Sequence, residues 1–226
     1  AYSSIAHAGF VLTGLTAAGE VGIGAALYYL GAYALTILGA FGVVMLVSAR
    51  GEQRTTLSAY AGLGRRSPVL AGLLALFLIS LTGIPPFAGF YSKDHIVVAA
   101  WERGWYFGVL AIVGAGITAF YMPRLMMMTF FGTKRWADGV HPHESPKIMV
   151  GPLVVLSIGA AVLGMILNNS IQHWLAPPTG GHPHDAALWE IPWQGWVTLL
   201  VVLVGVAIGY LMYRGEISFE QPHTTN

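Results

Sequence analysis

The chain has 226 residues, of which 55% are hydrophobic and only 9% charged, with a mean hydropathy of +0.65 and a net charge of +1. A soluble domain carries about 25% charged residues, so 11 basic and 10 acidic side chains cannot clothe a surface in water, and most of this surface must face lipid. The near-neutral balance excludes a nucleic-acid partner, which needs a basic face, and the lack of cysteine excludes disulfides and any cysteine-ligated metal or iron–sulfur centre.

A bilayer core of about 30 Å takes roughly 20 apolar residues per helix. Segments free of Asp, Glu, Lys and Arg fall at residues 1–19, 21–49, 67–92, 104–123, 148–172 and 191–213, the fourth continuing through Arg124 to residue 131. The fold class this predicts is all-α, a polytopic transmembrane bundle of about six crossings, one of them a discontinuous helix. The 29 glycines suit helices that pack closely in lipid. The first residues look like helix interior and no signal peptide precedes them, so the expectation is a fragment, or a chain started internally.

In the first segment, "AYSSIAH" places His7 in apolar surroundings after Ser3 and Ser4. It suits a proton relay, and equally a neutral histidine bonded to a carbonyl of a neighbouring helix. Tyr28, Tyr29, Tyr33 and Thr36 share a helical spacing in the second segment; they could form a polar lining, and packing is the expected role.

Residues 67–101 are the puzzle: 35 residues, too long for one straight span and short for two. Basic residues decide it. With one crossing here, Arg50, Arg54, Arg65, Arg66, Lys134, Arg135, Lys147 and Arg214 fall on one side and Arg103 alone on the other, eight against one. Two crossings would give five against four. The segment is therefore expected to cross once, with the basic side cytoplasmic.

Its middle reads "GIPPFAGFYSKDHI". Gly83, Pro85 and Pro86 break the helix, because the prolines lack N–H donors and disfavour helix at the residue before them. About 21 Å of helix precedes the break and about 13 Å follows Lys93 to the aqueous end, which places a non-helical stretch over residues 83–92 near mid-membrane. Unpaired backbone there must be covered by protein or line a watery cavity.

Lys93, Asp94 and His95 stand beside this break. Lys93 and Asp94 could form a fixed ion pair, but neighbours on a helix point about 100° apart. The alternative is a partner in water or on another helix, with the carbonyls ending the first half-helix favouring the ammonium and desolvation opposing it. Opposed in this way, Lys93 could gain and lose a proton, and broken helices around a midplane charge mark secondary transporters.

The remaining features point to no chemistry. Arg124 is expected to anchor a helix at the cytoplasmic end, and Met126–Met128 to pack. His141 and His143 ("HPHE") and His182 and His184 ("HPHD") have zinc-compatible spacing, yet lie in loops on opposite sides and are expected to be solvated, so no metal site is predicted. "AGLGRRS" is wrongly spaced for a phosphate loop.

"AYSSIAHAGF", "GIPPFAGFYSKDHI", "GAGITAFYMPRLMMMTFFG" and "HESPKIMVGPLVVLSIGAAVLG" together resemble the antiporter-like membrane subunits of proton-translocating NADH:quinone oxidoreductase, respiratory complex I. The large subunits of multisubunit sodium/proton antiporters and membrane subunits of energy-converting hydrogenases share the resemblance. It implies inverted five-helix repeats, each with a broken helix, around a hydrated polar axis, with no bound cofactor. Lys93 matches the lysine of the second broken helix and His7 the histidine of its pattern; Asp94 and His95 join them as candidates for proton translocation.

The resemblance is a mosaic, quinone-proximal in type over the first half and distal from "FAGFYSKD" onward. It divides the chain into residues 1–131, the second broken-helix repeat in incomplete form, and residues 132–226, additional C-terminal transmembrane helices. The first repeat, with its buried glutamate and lysine, is not among these residues, so a complete proton path is not expected from them alone. The implied setting is a bacterial inner membrane, with other membrane subunits, lipid and protons as partners. A non-transporting scaffold is the rival from another class.

Overall fold

The computed structural model describes residues 2–17, 19–48, 60–130, 147–179 and 191–213. With no water to satisfy backbone groups in lipid, apolar sequence must fold as helix. The described elements are α1 (Tyr2–Thr16), α2 (Glu20–Val47), α3 (Leu63–Arg66), α4 (Pro68–Thr82), α5 (Ala88–Arg103), α6 (Trp105–Phe130), α7 (Lys147–Ile158), a π segment (Gly159–Leu163), α8 (Gly164–Thr179) and α9 (Trp193–Tyr213). α7, the π segment and α8 follow one another without interruption. Val21–Val47, Trp105–Phe130, Ile148–Ile166 and Trp193–Tyr213 are each long and apolar enough to cross a membrane.

α2 and α6 act as rulers for the puzzling segment. Along α2, Tyr28 lies edge-on to His95, Thr36 meets Ser80, and Gly39 lies against the Phe77 ring. Advancing along α2 thus means retreating from α5 into α4. α6 repeats the pattern, with Gly108 against Trp101 and Phe130 against Gly64. So α4, the break and α5 form one discontinuous traverse, antiparallel to continuous helices of 28 and 26 residues. With α1, α2, α6, the α7–α8 run and α9, the described residues make six traverses.

The break itself is narrower than the sequence suggested. α4 ends where Gly83 turns left-handed (φ 85°), its N–H donating to the Ile79 and Ser80 carbonyls as a helix C-cap does. Pro85 and Pro86, joined by a cis peptide bond, carry the chain to Phe87, and α5 starts at Ala88. The expected non-helical stretch to residue 92 is thus corrected to residues 83–87. Only Gly83 and the prolines resist a helix, and nothing from Ala88 onward does.

The two largest of four buried clusters among the described residues fill most of the bundle. One joins Val43, Leu70, Phe77, Met122 and Leu153; the other joins Phe10, Ala26, Tyr29, Ile96, Ala115 and Val202. α9 seats on α6 through Gly205 and Gly209, which lie against the carbonyl oxygens of Gly116 and Phe120, the close approach that small residues permit. The outside is apolar, with Leu38, Leu110 and Leu200 more than half exposed, as a lipid-facing surface requires. At the end where α5 gives way to α6, Trp101 and Trp193 pack edge-to-face at 4.8 Å beside exposed Trp105, Tyr106 and Trp196. Such a girdle marks a membrane–water interface. Arg65 lies exposed at the opposite end.

Candidate functional site

The end of α4 leaves carbonyls without helical partners, at the negative end of its dipole. Lys93, in the second turn of α5, donates from Nζ to the Leu81 carbonyl (2.6 Å) and the Thr82 carbonyl (3.1 Å). Its side chain is 3% exposed, and its ammonium stands 5.5 Å from the centre of the Phe10 ring. Two glycines make room for this. A Cβ on Gly83 would press on the lysine, and one on Gly89 would collide with the Ser80 carbonyl. α5 can therefore begin hard against the last turn of α4.

An ammonium at mid-membrane costs about 2.5–3.5 kcal/mol on insertion scales, and each hydrogen bond to a charged group returns about 1.5–3 kcal/mol. Two such bonds are enough to offset that cost.

Beside Lys93 is a small cavity whose lining includes His7, Tyr29, Tyr33, Thr36, Ser80 and Ser92 among apolar neighbours, with room for about one water molecule. His7 is fully buried, its Nδ1 2.5 Å from the Tyr29 hydroxyl and its ring stacked on Tyr33 at 4.7 Å. His7 Nε2 and Ser92 Oγ are buried without a hydrogen-bond partner among the described residues. Thr36, Thr82, Thr118 and Thr198 return their hydroxyls to carbonyls one turn back. Ser92 does not.

The structure therefore brings Lys93 and His7 to one cavity. It does not bring Asp94 and His95 there. Asp94 makes no ion pair with Lys93 among the described residues; it lies against Gly195 of α9, with Oδ1 unpartnered. His95 faces α8, its Nε2 2.8 Å from Asn168 Oδ1. Lys93's hydrogen-bond partners among the described residues are the carbonyls that end α4, the groups the sequence expects to favour its ammonium.

The α2 tyrosines do pack, Tyr28 and Tyr29 as buried members of the core with Tyr33 against it, and they have polar roles as well. Tyr29, Tyr33 and Thr36 line the cavity, while Tyr28 donates to the Gly164 carbonyl at 2.8 Å. Arg124 lies 5.1 Å over the Tyr213 ring, tying α6 to α9. Ser80, Ser92 and Asn168 were invisible as site residues in the sequence. His141, His143, His182 and His184 lie outside the described residues.

A family model described as NADH:quinone oxidoreductase/Mrp antiporter, TM, matches residues 1–118, more than half of the chain. The chain belongs to this family. Among similar relatives, NADH-quinone oxidoreductase subunit L of Mycobacterium tuberculosis is 44% identical over 162 residues, covering 68% of this chain and 25% of that protein. NADH-quinone oxidoreductase subunit N of Rhodococcus opacus is 48% identical over 179 residues, 76% of this chain and 32% of that protein. The subunit N of Thermobifida fusca is 36% identical over 193 residues, 84% of this chain and 35% of that protein. The chain thus spans a quarter to about a third of the relatives it matches. As a member of this antiporter-like family built from apolar helices, it is an integral membrane protein.

Proposed function

We propose that this chain is the part of an antiporter-like complex I membrane subunit that carries one broken helix, and that it serves proton translocation coupled to NADH:quinone electron transfer elsewhere in the complex. Residues 1–131 supply the second broken-helix repeat and residues 132–226 the additional C-terminal helices. Lys93 is the proton-exchange station. The observation that carries this is the Lys93 ammonium on the free Leu81 and Thr82 carbonyls, beside a cavity shared with His7. Asp94 and His95 follow it on α5 but face α9 and α8, so the exchange step is assigned to the side of α5 that Lys93 shares with His7. The partners are other membrane subunits, lipid and the translocated protons, and the setting is a bacterial inner membrane with the basic loops cytoplasmic. The names of the relatives favour complex I over a sodium/proton antiporter.

The test uses Lys93→Ala and Lys93→Arg in the complete subunit within its native complex, with assembly checked on native gels. Arginine keeps a charge that cannot be released at physiological pH. Both changes should cut NADH-driven proton uptake into vesicles roughly tenfold or more, the scale on which a lost transfer group counts. Near-normal pumping by Lys93→Arg would leave Lys93 a structural cation, as in a scaffold.

A further inference from the structure

His7 offers two ring nitrogens, and the structure treats them differently. Nδ1 faces the Tyr29 hydroxyl, whereas Nε2 is buried without a partner at the cavity. Tyr29 is 2% exposed, and its hydroxyl has no second hydrogen-bond partner among the described residues. A buried phenol must donate somewhere, and the acceptor within its reach is Nδ1. A neutral imidazole whose Nδ1 accepts a hydrogen bond carries its proton on Nε2. The titratable and charged groups facing this ring are Tyr29 and Tyr33 of α2 and Lys93 of α5, with Tyr121 of α6 one turn away against Ser3.

We propose that Tyr29 is a positioning residue that fixes His7 as a hydrogen-bond donor to the cavity, so that His7 orients the water exchanging protons with Lys93 instead of carrying a proton itself. The inference rests on the reading of Lys93 as the exchange station. Lys93 spends two of its three N–H bonds on carbonyls; the third is left for the cavity. A water there accepts from Nε2–H of His7 and from Lys93. That turns its own hydrogens toward Ser92 Oγ, the buried oxygen without a partner, and toward Thr36 and Ser80. With its oxygen aimed at Lys93, the water is placed to take one proton from Nζ while one of its own hydrogens leaves toward the Ser92 hydroxyl, so the lysine becomes neutral, the water stays neutral and no step requires His7 to change its charge.

The experiment is NADH-driven proton uptake across a range of pH in vesicles carrying the assembled complex, with His7→Gln, His7→Phe, Tyr29→Phe and Lys93→Ala. Glutamine keeps an N–H donor and cannot exchange a proton. His7→Gln should therefore pump at a reduced rate with the pH profile of the wild type, while His7→Phe falls further, by roughly tenfold. Tyr29→Phe, which releases the ring to either tautomer, should lower pumping about threefold to tenfold, the scale of one hydrogen bond. If His7→Gln fails to assemble, His7→Asn carries the same comparison.

A His7→Gln rate as low as that of His7→Phe, or the loss of one limb of its pH profile, would make His7 a carrier and overturn the proposal. So would a Tyr29→Phe complex that pumps and titrates like the wild type. Unimpaired pumping by Lys93→Ala would instead overturn the functional reading beneath it.

Discussion

Two histidines, His7 packed against the broken helix from α1 and His95 carried on its second half, meet different surroundings. His7 has one nitrogen held by Tyr29 and the other open to a cavity that also exposes Ser92 Oγ and Lys93. His95 is bonded to Asn168 and braced by the edge of Tyr28, whose own hydroxyl is tied to the Gly164 carbonyl. Polar groups that are buried and satisfied fix a structure. Polar groups left with spare capacity beside a space for water can rearrange. The contrast assigns exchange to the α1–α2 side of α5 and, on the α8 side, a firmer hold on the helices.

The largest expected effects come from the two glycines that set these sides. Gly89→Ala would drive a methyl group into the Ser80 backbone, and Gly164→Ala one into the Ala88 backbone. Each should cost about 3 kcal/mol or more, because backbone cannot yield as a side chain does. Thermal unfolding of the purified complex would show the loss in both. Only Gly89→Ala should also lower pumping per assembled complex, since Gly89 lines the cavity. Equal loss of pumping from Gly164→Ala would break the contrast.

A middle effect is expected at the His95–Asn168 pair. Either Asn168→Leu or His95→Phe leaves a buried partner unmatched, at about 1–3 kcal/mol, and the double change should cost less than the two single ones together. Pumping per assembled complex should stay within roughly twofold of the wild type, the effect of a structural hydrogen bond on a distant step. A tenfold fall would place His95 in the transfer path.

The smallest effect on stability belongs to Ser92→Ala. Removing a hydroxyl without a partner should leave stability unchanged or raise it by up to about 1 kcal/mol. Pumping should fall by a few-fold, measured in the same vesicles. A clear loss of stability would mean that Ser92 is already satisfied, and the spare capacity on the His7 side would be smaller than described.

The residues that advertise themselves in sequence are those whose effect is local. Gly83, Pro85 and Pro86 declare the break because φ freedom and missing N–H donors act on the residue that carries them. Lys93 declares itself because a charge in apolar text is costly wherever it points. The six traverses follow from length and hydropathy in the same way. What stayed hidden depends on contacts between distant segments. Tyr29 meets His7 across 22 positions and Asn168 meets His95 across 73, and no spacing rule links such pairs. The sequence therefore shows the α2 tyrosines as packing or polar lining, without the partner each one meets. Residues 88–92 are expected outside the helix because the prolines give no sign of how soon it resumes.

Gly164 has one more consequence. With no side chain of its own, it lets the α7–α8 run lie directly on Ala88, the first residue after the break, and Tyr28 clasps the same point from α2. A helix interrupted at its midpoint has lost the hydrogen bonds that would keep its halves in line. Here an unbroken helix is laid across the fracture and fastened there, as a splint is to a bone. The backbone at the break can then stay open toward Lys93 while the two halves remain aligned.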